Sequence, residues 1–199
     1  MEIERIDNYE DDRFSKTALL QHGAYLIDDE PYEIVIVSDN KAIVYGNKPE
    51  KYEALIEQFR YHAPHITNVV DEKGETITNI TEVEVVDIAL DLIQPSQFFV
   101  DEQKLEAVSS FINKPEEIIV QVVPWEDSYI SMDGHTRLFY ACQNGFKSVK
   151  AVVVEMEDWV WTFVEEAHNR KIYTPYDLQL LSHEEYEVQW NQYCDSIFK

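Results

Sequence analysis

The chain has 199 residues, 45% of them hydrophobic and 13% aromatic, so it can bury a core and is not globally disordered. Its 39 acids against 16 bases give a formal charge of −23, which repels phosphate backbones and anionic membranes, so no nucleic acid or membrane partner is expected. Cys142 and Cys194 are widely spaced and outside any C-x-x-C pattern, so they define neither a disulfide framework nor a metal site. No run reaches the ~18 apolar residues of a membrane span. The acidic start MEIERIDNYEDD has no signal-peptide character, and a cytoplasmic location is expected.

In chain order, GAYLID and YEIVIVS are β-rich runs divided by the turn-forming Asp28-Asp29-Glu30-Pro31, and KAIVYG follows across Asp39-Asn40. PEKYEALIEQFRYHAP opens with Pro49 at a first helical position. Its Tyr52, Leu55, Ile56, Phe59 and Ala63 share one helical face. TNVVDEKGETIT reads as a hairpin with Gly74 in its loop. A polar break near residues 79–84 divides the chain into an N-terminal α+β domain, 1–80, and a second domain, 81–199.

The second half begins with VEVVDIALDLI, strand-rich and closed by Pro95. DEQKLEAVSSFI is a predicted helix with Leu105, Val108 and Ile112 on one side. EIIVQVVPWEDSYISMD gives two strands around Trp125-Glu126-Asp127-Ser128. A helix after DGHTR stops at Asn144-Gly145, a C-terminal signal. SVKAVVVEM is a buried strand. Two helices follow, DWVWTFVEEAHNR and SHEEYEVQWNQYCDSIF, the latter with a capping box at Ser182 and Glu185. The predicted class is α+β, with mixed sheets and packed helices.

The segment that carries chemistry is DGHTR, residues 133–137. Leu138, Ala141 and Cys142 follow at i, i+3, i+4, so Asp133-Gly134 heads a helix rather than turning a hairpin. A strand–turn–helix junction directs free backbone N–H groups outward, where the helix dipole favours an anion. Gly134 admits close approach, Thr136 adds a hydroxyl and Arg137 adds a fork of donors for phosphate or carboxylate. His135 titrates near neutrality, and Asp133 can orient it, cap the helix or act as a base. The competing structural reading has Asp133 as a cap, Arg137 in an ion pair and His135 solvated.

From about residue 86 to 156 the chain resembles the ParB/sulfiredoxin superfamily domain, through ALDLIQPSQ, KLEAVSSFI and IIVQVVPWEDSYISMDGHTRLFYACQNGFKSVKAVVV. DGHTR is most similar to the DGHHR turn of the free-serine kinases. The resemblance implies phosphate binding by Gly134, His135, Thr136 and Arg137, and catalytic roles for Asp133 as base and for His135. It also implies ATP, ADP or CTP with Mg²⁺. If the chain is an enzyme, the class implied is phosphoryl transfer or nucleotide hydrolysis. Three positions differ from the branches. Gln97 stands where the kinases carry an acid, Thr136 where they have a second His, and His135 where sulfiredoxins have their nucleophilic Cys.

The leading expectation is therefore a nucleotide- or phosphate-binding ParB-like protein. The alternative is a non-catalytic interaction or regulatory module with a basic protein partner. A DNA-binding partition role ranks last on charge. His62 and His65 form an H-x-x-H around Pro64 without further ligands in view, and no metal site is expected. Trp159 and Phe163 lie one helical turn apart and read as core, while Trp161 points elsewhere.

Overall fold

The computed structural model describes residues 1–80 and 83–198. The chain divides into two compact units, Met1–Val83 and Glu84–Lys199. The boundary expected at 80/81 abuts residues 81–82, outside the described residues.

In the first unit, β1 (Ile3–Arg5), α1 (Lys16–Leu20), β2 (Ala24–Ile27), β3 (Glu30–Ser38), β4 (Lys41–Tyr45), α2 (Tyr52–His62), β5 (Asn68–Asp71) and β6 (Thr76–Asn79) follow in sequence. The strands form one sheet in the order β1-β2-β3-β4-β5-β6. Every pairing is antiparallel except β4 with β5, because α2 makes the crossover between them. Asp28 and Asp29 take positive φ of 49° and 64°, the two-residue turn that matches strand twist between β2 and β3. The α2 face read from the sequence lands on the sheet: Leu55, Ile56 and Phe59 pack with Ile34, Val44 and Val69.

The second unit runs β7 (Val85–Ala89), β8 (Ile93–Pro95), β9 (Phe99–Asp101), α3 (Glu102–Ser109), β10 (Ile119–Trp125), β11 (Ser128–Asp133), α4 (His135–Gln143), β12 (Ser148–Val153), α5 (Val160–Asn169), β13 (Gln179–Leu181), α6 (His183–Tyr186) and α7 (Gln192–Ile197). Five strands form a mixed sheet in the order β7-β12-β10-β11-β8. β10 and β11 are an antiparallel hairpin; β12 joins β10 in parallel and β8 joins β11 in parallel. Alternation along β11 assigns the two faces. Tyr129 packs in the cluster holding Leu138 and Ala141 of α4, whereas Ile130 packs with Val160 and Val164 of α5. Both faces of the central hairpin are therefore covered by helix.

A third cluster surrounds Phe98, Phe99 and Val100, where β9 pairs in parallel with β13. The Phe98 ring meets Trp190 at 4.8 Å and Tyr193 at 5.4 Å, which fixes the C-terminal helical stretch to the unit.

Three expectations need correction. The helix predicted to reach Ile112 ends at Ser109, where the hydroxyls of Ser109 and Ser110 bond back to the carbonyls of Glu106 and Ala107. Such back-bonding offers the chain an alternative to further helix; Ile112 is still buried, beside Val108. Leu105 faces a different cluster from Val108, so the three residues do not share one surface. The last predicted helix is interrupted by a π-helical stretch, Glu187–Asn191. The short elements β1, α1, β9 and β13 were not anticipated.

Candidate functional site

β11 ends at Asp133, and Gly134 is the N-cap of α4 with φ 88° and ψ 21°. That left-handed conformation suits glycine. A Cβ at this position would lie 2.7 Å from Val120 Cγ1, so the turn is closely backed by β10. The N-cap supplies no side-chain hydrogen bond, and the first intrahelical bond runs from Leu138 N–H to the Gly134 carbonyl at 2.9 Å. The amides of His135, Thr136 and Arg137 make no hydrogen bond among the described residues. Thr136 is half-buried, and its hydroxyl has no protein partner among them. The start of this nine-residue helix therefore presents three orphan N–H groups and one hydroxyl beside a bare glycine.

The charged residues are partly committed. Arg137 donates from Nη1 to the Ile119 carbonyl, and its Nη2 lies 3.4 Å from Asp133 Oδ2. Its side chain is 22% exposed and folds back over the turn, with Nε and Nη2 each 3.2 Å from where a Gly134 Cβ would stand. Asp133 is an ion-pair partner, and the cap is Gly134.

His135 departs furthest from expectation. It is 6% exposed, which rules out the solvated reading. The Ser96 amide donates to its Nε2 at 3.2 Å, and Ser131 Oγ lies 3.0 Å from the same nitrogen. Ser96 Oγ donates to the Ser131 carbonyl at 2.8 Å, so that hydroxyl proton is already used. Nε2 is thus an acceptor, and the neutral ring carries its proton on Nδ1. Burial pulls the imidazole down to about 4; the Asp133 charge opposes this and Arg137 reinforces it. A ring so held joins the β8 exit to the α4 turn and is neutral at neutral pH.

The polar interior continues to Gln94. Its amide donates to the carbonyls of Pro95 and Ile172, and its Oε1 lies 2.9 Å from His168 Nε2. Gln97 donates to the Phe99 carbonyl and, at 3.1 Å, to the Tyr186 hydroxyl. Asp101 is buried; its Oδ1 caps α3 through Gln103 N–H at 2.9 Å and its Oδ2 lies 2.7 Å from His183 Nδ1. Sequence reasoning missed Ser96, Ser131, Gln94 and His168. Ser96 meets Ser131 and His135 across separations of 35 and 39 residues, which no local spacing reveals.

Among the described residues, no group of three or more His, Cys, Asp or Glu side chains is placed to hold a metal ion, and no helix is long and apolar enough to cross a membrane. Burial pushes the Cys142 thiol up to about 11, consistent with its packing against the α4 cluster.

An α+β unit with this sheet and a glycine-headed helix has ParB/sulfiredoxin-like neighbours among solved structures. A crystal structure of protein Atu1540 from Agrobacterium tumefaciens is 19% identical, with a TM-score of 0.37, over 48% of this chain and 61% of its own. A free serine kinase in complex with AMP is 28% identical, with a TM-score of 0.29, over 39% of this chain and 32% of its own. The chromosome-partitioning protein ParB from Caulobacter crescentus, complexed with CTP-gamma-S, is 19% identical with a TM-score of 0.31, over 44% of this chain and 53% of its own. The chain thus spans about three fifths of the Agrobacterium protein's length and about a third of the kinase's. No protein-family profile matches the chain, and no curated protein matches it in sequence.

Proposed function

We propose that residues 84–199 form a ParB/sulfiredoxin-like domain that binds a small phosphorylated molecule, a nucleotide by preference, at the first turn of α4. The observation that supports this is the set of orphan N–H groups on His135, Thr136 and Arg137 beside Gly134. A phosphate seated there accepts from backbone donors aligned with the helix dipole. Thr136 adds its hydroxyl. Arg137 adds positive potential from behind the turn, moderated by Asp133. The superfamily resemblance favours a nucleotide, ATP, ADP or CTP, over a bare phosphate, and Mg²⁺ is the counter-ion we expect with it.

If turnover occurs, Asp133 is the base, since its half-exposed carboxylate flanks the turn. His135 acts as a positioning residue, because its Nε2 is spent on Ser96 and Ser131. The helix start and Arg137 then stabilise charge on the transferring group.

The test is calorimetry with ATP, ADP, CTP, GTP and inorganic phosphate, with and without Mg²⁺. Thr136→Glu places a carboxylate in the first helical turn, which favours the helix and repels an anion, so it separates folding from binding. Loss of binding with an unchanged melting midpoint is expected. An absence of binding to every ligand, or equal binding by Thr136→Glu, overturns the reading.

A second reading, a binding module without catalysis, is favoured by Gln97. Its amide is occupied by Phe99 and Tyr186, so this position serves packing. Phosphate release from bound nucleotide, abolished by Asp133→Asn, would decide for the enzyme.

A further inference from the structure

Trp125 sits at the opposite end of the β10–β11 hairpin from Asp133. Its ring meets Trp161 edge-on at 5.7 Å and lies 6.1 Å from His168, with planes 32° apart. His168 in turn faces Tyr173 at 5.4 Å. Trp161 is 44% exposed and Tyr173 54%. Tyr176, 50% exposed, follows in a turn that packs against the one carrying the exposed Leu92. Trp161, Trp125, His168 and Tyr173 make one continuous strip. The buried face of α5 is a different one, formed by Val160, Phe163, Val164 and Ala167.

Single exposed apolar residues are ordinary, but a contiguous run of large aromatics marks a binding surface. Its electrostatic setting identifies the occupant. Glu165 lies one helical turn from Trp161 and three residues before His168, on the same face of α5. Glu126 and Asp127 follow Trp125 directly and are exposed. None of these three carboxylates has an ion-pair partner among the described residues. Residues 124–129 and 157–177 together hold seven acids and two bases, and one of those bases, Arg170, is paired with Glu166 at 2.7 Å. A second copy of this chain, also at −23, would bring like charges together, and an anionic surface is repelled for the same reason. A guanidinium matches both halves of the surface, since it stacks on an indole face and pairs with a carboxylate.

We propose that this strip docks a basic, arginine-bearing segment of a protein partner. Trp161 and Trp125 take an arginine by stacking, Glu165 pairs with it, and Tyr173 takes the apolar position beside it. The surface is independent of the turn at Gly134, so either function stands without the other.

The experiment uses the full chain and an acetylated octapeptide of alternating arginine and alanine, with its citrulline counterpart, followed by calorimetry at physiological salt. The arginine peptide is expected to bind one to one and the citrulline peptide not to bind. Trp161→Ala and Glu165→Gln are each expected to weaken binding about tenfold, while Trp161→Phe retains most of it. Glu57→Gln, on α2, is expected to leave it unchanged. The variants lie on the surface, and an unchanged melting midpoint shows that they fold. Absence of binding, equal binding of the citrulline peptide, or equal losses in Glu57→Gln and Glu165→Gln overturns the proposal. A concentration-dependent dimer in sedimentation, abolished by Trp161→Ala, also overturns it in favour of a second copy.

Discussion

The backbone N–H of Ser96 lies 3.2 Å from Nε2 of His135, so the exit of β8 is hydrogen-bonded to the first turn of α4 through an imidazole. The bond requires a neutral ring, and this links the site to pH. The unfolded ring titrates near 6.5 and the folded one near 4. Below about 6.5 the unfolded chain takes up a proton that the buried ring refuses. The stabilisation is therefore complete above that pH and is lost as pH falls towards 4, a change of about 3 kcal/mol. Urea unfolding at a series of pH values from 7 to 4 measures it. His135→Gln should flatten this slope; an equal slope in both proteins would show that the ring titrates normally.

Gly134→Ala should destabilise the second unit by about 2 kcal/mol, because alanine is strained at φ 88° and its Cβ meets Val120. Equilibrium denaturation reads the loss directly. An effect below about 0.5 kcal/mol would mean that the turn relaxes without strain.

Asp133→Asn removes a negative charge next to the helix start and loosens Arg137. The expected result is a rise of about fivefold in nucleotide affinity, greatest at low salt, within the range of a partly exposed ion pair. Calorimetry at two ionic strengths tests this. A fall in affinity would make Asp133 a contributor to ligand binding instead.

Asp101 holds α3 with one carboxylate oxygen and His183 with the other. Asp101→Ala loses both and should destabilise the protein by about 2 kcal/mol, whereas Asp101→Asn keeps the cap and should lose about half of that. Amide exchange across residues 183–197 should quicken more in the alanine variant. Equal quickening in the two variants would assign the effect to the His183 contact alone.

How much of this was legible in the sequence depends on the distance between partners. The α2 face was readable because Leu55, Ile56 and Phe59 repeat at helical spacing and meet one sheet. The strand–turn–helix form of DGHTR was readable from Leu138 and Ala141, and the α4 stop from Gly145, whose φ is 72°. The burial of His135 was not readable, because its partner Ser96 lies 39 residues away. Nor was the role of Asp101, whose partner His183 lies 82 residues on. The end of α3 was misjudged because serine hydroxyls, rather than an apolar pattern, decide it. β9 and β13 have three residues each, too few for periodicity to show, and they pair only because the chain returns to the same place.

The order of the second sheet has a consequence for how the protein folds. Only β10 and β11 are joined by a tight turn, and α4 follows β11 at once. β8 reaches β11, and β7 reaches β12, only after long loops have closed, and such closures are slow. The hairpin and α4 are therefore expected to form the folding nucleus, with Val122 and Ile130 giving high φ-values and Ile88 a low one. The glycine-headed turn would then be among the first pieces of tertiary structure to exist, and the edge strands would close around a cradle already made.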